Sequence, residues 1–295
     1  MDVVTAGSLE PGNAQIELMR EFVRRKLEIW PEFVAALIVG SVAHGEARSD
    51  SDLDCVMVFD KLDEAIVPAE FVWVPATDTY HTIFEVDASD VVGIQIDAKR
   101  IELDEFRHQE WPEGFKHELA HALVLYDRQQ SVSKILESRL AYPEPLRLAR
   151  MHTHLGWVGY YLEEWRLLRW LERGGIGDTH DQLTAAFEEL MQLLHAYNSE
   201  WLPWRNRWMA STRRLSWLPH GFPQRSVEIT SRIDATKESV LKRRHEINFM
   251  LDETLDRLQS EGIISDPDEA FIAAHPGLGY AYNFDAWRKA HDLLV

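Results

Sequence analysis

Two aspartates separated by one residue, Asp52 and Asp54, have the spacing in this sequence that most directly suggests chemistry. Asp52 precedes a largely apolar run from Leu53 to Phe59, and Asp54 lies near the start of that run, which is typical of a buried strand. Because residues two apart in a strand point to the same face, we expect both carboxylates to project together while Leu53 faces the core. Magnesium prefers oxygen ligands, commonly one or two carboxylates together with substrate phosphates. The pair therefore predicts a metal site that a phosphate-bearing substrate completes.

A glycine and a serine follow the preceding apolar run, which extends from Ala35 to Val39. Gly40 allows the backbone to turn tightly and to approach a ligand closely. Ser41 can offer its hydroxyl group to a phosphate, and the amides of Ser41 and Val42 are expected at a helix N-terminus, where anions bind. We therefore expect the strand, the phosphate-binding loop and the acidic pair to form one site.

The segment GSVAHG, from Gly40 to Gly45, and the tetrad SDLD, from Ser51 to Asp54, resemble the signature of the polymerase-β nucleotidyltransferase superfamily. Both the spacing of the two segments and their strand context match that signature. The resemblance covers roughly residues 15 to 135. It is closest to the bacterial branch that contains aminoglycoside and lincosamide nucleotidyltransferases and the minimal nucleotidyltransferases.

The resemblance also implies which residues contact the nucleotide. In that branch an arginine often precedes the second glycine, where this sequence has His44, and Arg48 is a second possible source of that phosphate contact. The implied nucleotide-binding residues are Gly40, Ser41, His44, Arg48 and Ser51.

Relatives of this type carry a third carboxylate on a later strand, beside the metal pair. Asp97 is the preferred candidate because it ends the apolar run from Val91 to Ile96. Glu85 and Asp87, on the preceding strand candidate, are the alternatives. The resemblance then implies that Asp52, Asp54 and Asp97 bind two magnesium ions, with Asp97 as the third ligand or as the base that accepts the proton of the acceptor hydroxyl.

The implied reaction moves a nucleoside monophosphate, with AMP as the first expectation, from ATP or another nucleoside triphosphate to a hydroxyl group, releasing pyrophosphate. Paired metal ions stabilise the attacking and leaving oxygens in such transfers. The expected acceptor is a small molecule, for which family analogy indicates an aminoglycoside- or lincosamide-type antibiotic. Two alternatives stay open: a protein hydroxyl, as in antitoxin-like minimal nucleotidyltransferases, and a nucleotide-binding module without turnover.

Hydrophobic periodicity predicts a first half of α/β or α+β type and a helical second half, which together make an α+β chain. The length of 295 residues favours two domains. Residues 1–135 are expected to form a polymerase-β-type catalytic domain, with a mixed sheet flanked by helices. Residues 136–295 are expected to form an all-α helical bundle that completes the substrate cleft. The predicted elements are a helix over 13–30, strands over 35–39, 53–59, 80–86 and 91–97, shorter helical patterns over 103–108 and 115–125, and later helical patterns over 145–172, 180–199, 225–260, 267–274 and 284–293.

The formal net charge of -18 argues against a nucleic-acid partner, since binding to a phosphate backbone needs clustered lysine and arginine. It gives weak support to a basic acceptor. The single cysteine, Cys55, excludes an intramolecular disulfide, and no apolar segment is long enough to span a membrane. We therefore expect a cytoplasmic protein that is not inserted in a membrane.

Two other motifs, a set of alternate aspartates and a tryptophan-rich stretch, give weaker indications of function. Asp50, Asp52 and Asp54 could begin a calcium loop, but Cys55 and Lys61 stand where that loop needs glycine and glutamate. The tryptophan-rich stretch over 198–208 is more typical of core packing than of base stacking, although by analogy its Arg207 is a candidate contact to nucleotide or acceptor.

Overall fold

The structure is a computed structural model that describes residues 11–48, 50–63, 66–83, 93–231 and 234–266, together with Ala270. The chain divides into two compact units, Met1–Ala141 and Tyr142–Val295. The first combines a sheet with helices, and the described part of the second is helical. This arrangement confirms the predicted α+β fold class.

The described part of the first unit contains six strands and five α-helices. In chain order these are α1 (Pro11–Phe22), β1 (Phe33–Ile38), α2 (Gly40–Ala43), β2 (Leu53–Phe59), β3 (Glu70–Val74), β4 (Thr79–Thr82), β5 (Ile94–Glu102), α3 (Leu103–His108), α4 (Glu113–Ala120), β6 (Leu123–Asp127) and α5 (Ser131–Leu140). A π-helical turn, Val23–Leu27, continues α1, and a 3-10 turn, Arg128–Gln130, precedes α5.

The six strands form one mixed sheet in the order β4-β3-β5-β2-β1-β6. β2 and β5 pair in parallel, whereas the other neighbouring pairs are antiparallel. All six residues of β1 are buried, as expected for a strand covered on both faces. One face packs against Met19 and Phe22 of α1, and the other packs against Phe106, Phe115 and Ile135 of the later helices.

Several boundaries differ from the sequence-based prediction. The helical pattern over 115–125 was wrong at its end, because α4 stops at Ala120 and β6 begins at Leu123, where it pairs with the edge of β1. Strand β3 was not predicted. The predicted strand over 91–97 lies later along the chain, so that Asp97 stands inside β5 rather than at its end.

The described part of the second unit contains six α-helices. They are α6 (Glu144–Leu162), α7 (Glu164–Glu172), α8 (Ile176–Tyr197), α9 (Trp208–Thr212), α10 (Phe222–Ser231) and α11 (Lys237–Ser260), with a 3-10 turn at Arg205–Arg207. The predicted helix over 145–172 is interrupted at Glu163, whose backbone is not helical. The patterns predicted over 267–274 and 284–293 lie outside the described residues, apart from Ala270. Within the described ranges, no helix has the length and apolarity needed to cross a bilayer.

A buried arginine connects three helices of the second unit. Arg243 on α11 is only 2% exposed, and its Nε donates to the carbonyl oxygen of Ile229 at 2.8 Å. Its Nη1 donates to His180 Nδ1 at 2.7 Å, and its Nη2 donates to Thr184 Oγ1 at 3.1 Å. The forked guanidinium group thus links α10 and α8 to α11.

We expect Arg243→Lys to destabilise the protein by about 3 kcal/mol, because an ammonium group cannot reach the same acceptors and stays buried without full hydrogen bonding. The matched control is Lys242→Ala on the same helix, where an exposed ion pair with Glu228 is lost. That change should cost about 1 kcal/mol or less. Urea denaturation of both variants measures the difference, and equal midpoints would show that the buried network contributes little.

Candidate active site

The pairing of β2 with β5 brings the acidic residues together. In the parallel register, Asp54 lies directly beside Asp97. One carboxylate oxygen from each of Asp52, Asp54 and Asp97 lies within 4.8 Å of the others. The structure therefore gathers three carboxylates from two neighbouring strands into one cluster.

The cluster lies on one defined face of the sheet. Asp54 alternates with Val56 and Val58, which pack against the layer formed by α3, α4 and α5. Cys55 points to the opposite face, into the core beneath α1. Burial raises the pKa of the Cys55 thiol well above its ordinary value, and the negative charges of Asp54 and Asp97 add to the shift. The thiol is therefore held protonated, away from the carboxylates.

Gly40 lies against the cluster at the end of β1. Its φ is +65°, a left-handed conformation that favours glycine. A Cβ atom built there would lie 2.1 Å from Asp54 Oδ2 and 2.9 Å from Asp54 Cγ. The amide of Val39 donates to the carbonyl oxygen of Asp54 at 3.0 Å, which holds this turn beside β2. Both the backbone conformation and the close approach therefore require glycine at this position.

The turn before Asp52 is held by a residue that the sequence analysis missed. Ser51 Oγ accepts a hydrogen bond from the Arg48 amide at 2.9 Å. The carbonyl oxygen of Ser51 accepts one from the side-chain amide of Gln15, which is buried on α1. Gln15 lies one helical turn before Met19, on the apolar face of α1. The presence of a polar residue on the apolar face of a predicted helix is the sequence feature that could have indicated a buried hydrogen bond from Gln15.

Two further predicted nucleotide contacts, His44 and Arg48, lie between α2 and Ser51, whereas Arg207 belongs to the second unit. His44 follows α2, and the centroid of its ring lies 5.5 Å from that of His117 and 4.9 Å from that of His121. Arg48 is exposed, and its Nε pairs with Asp50 Oδ1 at 3.0 Å. Arg207 ends the 3-10 turn of the second unit and is also exposed. Glu85 and Asp87 lie outside the described residues.

A fourth carboxylate adjoins the cluster. Glu70 on β3 pairs in register with Asp97, so that Asp97 has an acidic neighbour on each side. Burial raises the pKa of the Asp97 carboxyl above its ordinary value, a hydrogen bond from Gln95 opposes this shift, and the negative charges of Asp52 and Glu70 raise the pKa further. This concentration of negative charge favours a bound cation.

The raised pKa of Asp97 makes the stability of the folded protein depend on pH. Because the pKa of Asp97 is raised in the folded state, ionising its carboxyl costs stability as the pH rises from the ordinary value of 3.8 through the folded value. We expect Asp97→Asn to raise the melting temperature of the metal-free protein at pH 7, with the gain shrinking as the pH falls toward 4. Thermal melts in a chelator across this range test the expectation, and a gain that does not change with pH would contradict it.

The donor set of the cluster fits a hard divalent cation. Carboxylate oxygens are the ligands that magnesium prefers, and substrate phosphates commonly complete its coordination. Because Gly40 has no Cβ atom, the Asp54 carboxylate can lie directly against the glycine turn and keep its place in the cluster. The arrangement can therefore hold a divalent cation and bring it to a phosphate group.

Two families of known proteins match parts of this chain, and one of the matches covers the aspartate cluster. Residues 16–121 match the family described as a nucleotidyltransferase domain, and residues 115–209 match one described as a domain of unknown function (DUF4037). Among curated proteins, none matches this sequence. The crystal structure of a nucleotidyltransferase-like protein from Exiguobacterium sibiricum is similar over 92% of this chain and 80% of that one, with 11% identity and a TM-score of 0.41.

The matched residues include the glycine turn, the paired aspartates and Asp97. The match does not distinguish the aminoglycoside branch from others. From its N-terminal match, the chain carries a nucleotidyltransferase domain of the polymerase-β superfamily, and the protein is a transferase.

Proposed function

We propose that this protein is a magnesium-dependent enzyme that transfers a nucleoside monophosphate, AMP in the first instance, from a nucleoside triphosphate to a hydroxyl group of a small molecule. The observation that carries the proposal is the convergence of Asp52, Asp54 and Asp97 within 4.8 Å, beside the Gly40 turn. Clustered carboxylates of this kind suit phosphoryl chemistry, in which positioning and charge neutralisation supply most of the catalysis.

Each residue has a defined role in the proposed reaction. The three aspartates would hold two magnesium ions, and these ions would supply neutralisation of the charge on the attacking and leaving oxygens. The acceptor oxygen forms a bond to the α-phosphorus while the bond from that phosphorus to the bridging oxygen breaks, and pyrophosphate leaves. Asp97 acts as the third ligand or accepts the proton of the acceptor hydroxyl.

The turn around Gly40 is proposed to receive the triphosphate. Gly40 allows close approach, and the hydroxyl of Ser41 is a donor for a phosphate oxygen. His44, Arg48 and Ser51 are proposed as further nucleotide contacts. The side chain of Arg48 is exposed and pairs with Asp50. Its guanidinium group can leave this surface ion pair and bind a phosphate group of the nucleotide instead.

The acceptor is proposed to be an aminoglycoside- or lincosamide-type antibiotic. The net charge of -18 favours a cationic acceptor. The second unit also offers aromatic and acidic groups together: Trp157 and Tyr161 of α6 stack with centroids 5.7 Å apart, and Glu189 of α8 pairs with His154 at 2.7 Å. Aromatic faces beside carboxylates are the chemistry that binds amino sugars.

Transfer of label from ATP tests the proposal. The full chain is incubated with magnesium, ATP labelled at the α-phosphate and a panel of aminoglycosides and lincosamides, and the products are separated by mass. Label on an added drug supports the proposal, whereas label on a protein would support the antitoxin-like alternative. No transfer to any acceptor, with nucleotide still bound, would indicate a binding module without turnover.

A further inference from the structure

A cavity lined mainly by polar residues lies on the first unit, between the C-terminal end of α3 and one side of α5. Its volume is about 560 Å³, within the range of small-molecule sites. The polar residues that line it are Arg107, Gln129, Ser131, Lys134, Ser138 and Arg139. None of these residues belongs to the aspartate cluster, and none was assigned a role by the sequence or by the family match.

The charge of this cavity is opposite to that of the protein. Among the described residues that line it, three are cationic and none is acidic, although the chain has 49 acidic residues against 31 lysines and arginines. Lys134 and Arg107 are exposed, and neither makes an ion pair or a hydrogen bond with its side chain among the described residues. Their positive charges are therefore available to a ligand.

Arg139 forms a fixed wall of the cavity. Its Nη1 donates to the carbonyl oxygens of Phe106 at 2.7 Å and Arg107 at 3.0 Å, and its guanidinium group lies 3.8 Å from the centroid of the Trp111 ring. None of these partners carries a negative charge, so the charge of Arg139 is not compensated by them. The cavity thus has one cationic side chain held in place by hydrogen bonds, that of Arg139, and two exposed cationic side chains, those of Arg107 and Lys134, that can change rotamer to meet a ligand.

The N-terminus of α5 does not supply the attraction, because Asp127 already accepts hydrogen bonds from the amides of Val132 and Ser133. Recognition must come from the side chains. We propose that this cavity, the α3–α5 cavity, binds a small anion of the diphosphate class, either free pyrophosphate or the diphosphate group of a nucleotide. Two or three converging cations match the several charged oxygens of such a group better than the single charge of a carboxylate.

Calorimetric titration with pyrophosphate tests the proposal on the full chain. A chelator is included, and the ionic strength is held constant, so that the aspartate cluster is metal-free and repels the anion. We expect one site per chain. Lys134→Glu and Arg107→Glu should each weaken binding by about tenfold or more, since each reversal replaces a Coulomb attraction to the anion by a repulsion over a few ångströms.

The matched control is Lys61→Glu, an equal charge reversal at an exposed lysine of the same unit that does not line the cavity. It should bind pyrophosphate like the unaltered protein. Loss of pyrophosphate binding in Ser41→Ala would instead assign the anion to the glycine turn and overturn the proposal. Absence of binding at millimolar pyrophosphate, or equal affinities of Lys134→Glu and Lys61→Glu, would overturn it too.

A parallel titration with ADP distinguishes free pyrophosphate from the diphosphate group of a nucleotide as the ligand. Equal or tighter binding of ADP, weakened by Lys134→Glu, identifies a nucleotide as the ligand. Binding of pyrophosphate alone identifies the free anion. Both results support the diphosphate class, and orthophosphate binding as tightly as pyrophosphate contradicts it. The titrations contain no acceptor and measure no transfer, so their outcome is independent of the proposed function.

Discussion

Replacing Asp52 or Asp54 by Asn is expected to lower the rate of nucleotide transfer by about a thousandfold or more, because each change removes a charged ligand from the proposed metal site. The fold should persist. Both side chains are at least partly exposed, and removing one of several clustered negative charges relieves repulsion in the metal-free protein. Initial rates with α-labelled ATP measure the loss, and thermal melts measure the stability.

The matched control for these variants is Asp60→Asn. Asp60 follows the other end of β2 and is exposed, so the change removes the same charge away from the cluster. It should leave transfer within about a factor of two, as expected for a surface substitution. If Asp52→Asn retained the activity of the Asp60→Asn control, the aspartate cluster would not be the catalytic site.

Gly40→Ala is expected to abolish transfer through a steric effect on Asp54. The new Cβ would lie 2.1 Å from Asp54 Oδ2, far inside van der Waals contact, so the carboxylate must leave its place in the cluster. The positive φ of residue 40 adds a backbone cost of about 1–2 kcal/mol for alanine. We therefore expect a large loss of activity together with a moderate loss of stability.

The backbone cost and the steric effect can be separated. Gly262 has a φ of +71°, and no described atom lies within 4 Å of the position of an added Cβ. Gly262→Ala should therefore show the stability loss while keeping full transfer activity. If Gly40→Ala kept its activity and lost stability to the same extent as Gly262→Ala, the contact with Asp54 would have no role in catalysis.

The elements that were predicted well are those whose pattern of apolar and polar residues along the chain is sufficient to identify them. β2 was predicted with its observed bounds, because the run over 53–59 is apolar and its central strand position buries both faces. The helical second half was predicted because long amphipathic patterns do not depend on distant partners. The break at Glu163 was missed, because the pattern of apolar residues continues across it.

The strands at the edges of the sheet were harder to predict. β3 is short, and its apolar residues become a strand only by pairing with β4 and β5. β6 exposes Leu123 and Val124, so that it lacks the burial pattern of an inner strand. Its strand conformation depends on hydrogen bonds to β1. Edge strands of this kind carry a weak local signal because their stability comes from one neighbour.

The sequence by itself determined the α+β class, the pairing of a glycine turn with Asp52 and Asp54, and the candidacy of Asp97, because these depend on local spacing and on a recognisable motif. Only the tertiary structure decided that Asp97 stands beside Asp54, that Glu70 flanks it, and that Gln15 holds the turn before Asp52. The physical reason is register: a parallel pair of strands joins residues far apart in the chain, and no local periodicity specifies which residues meet.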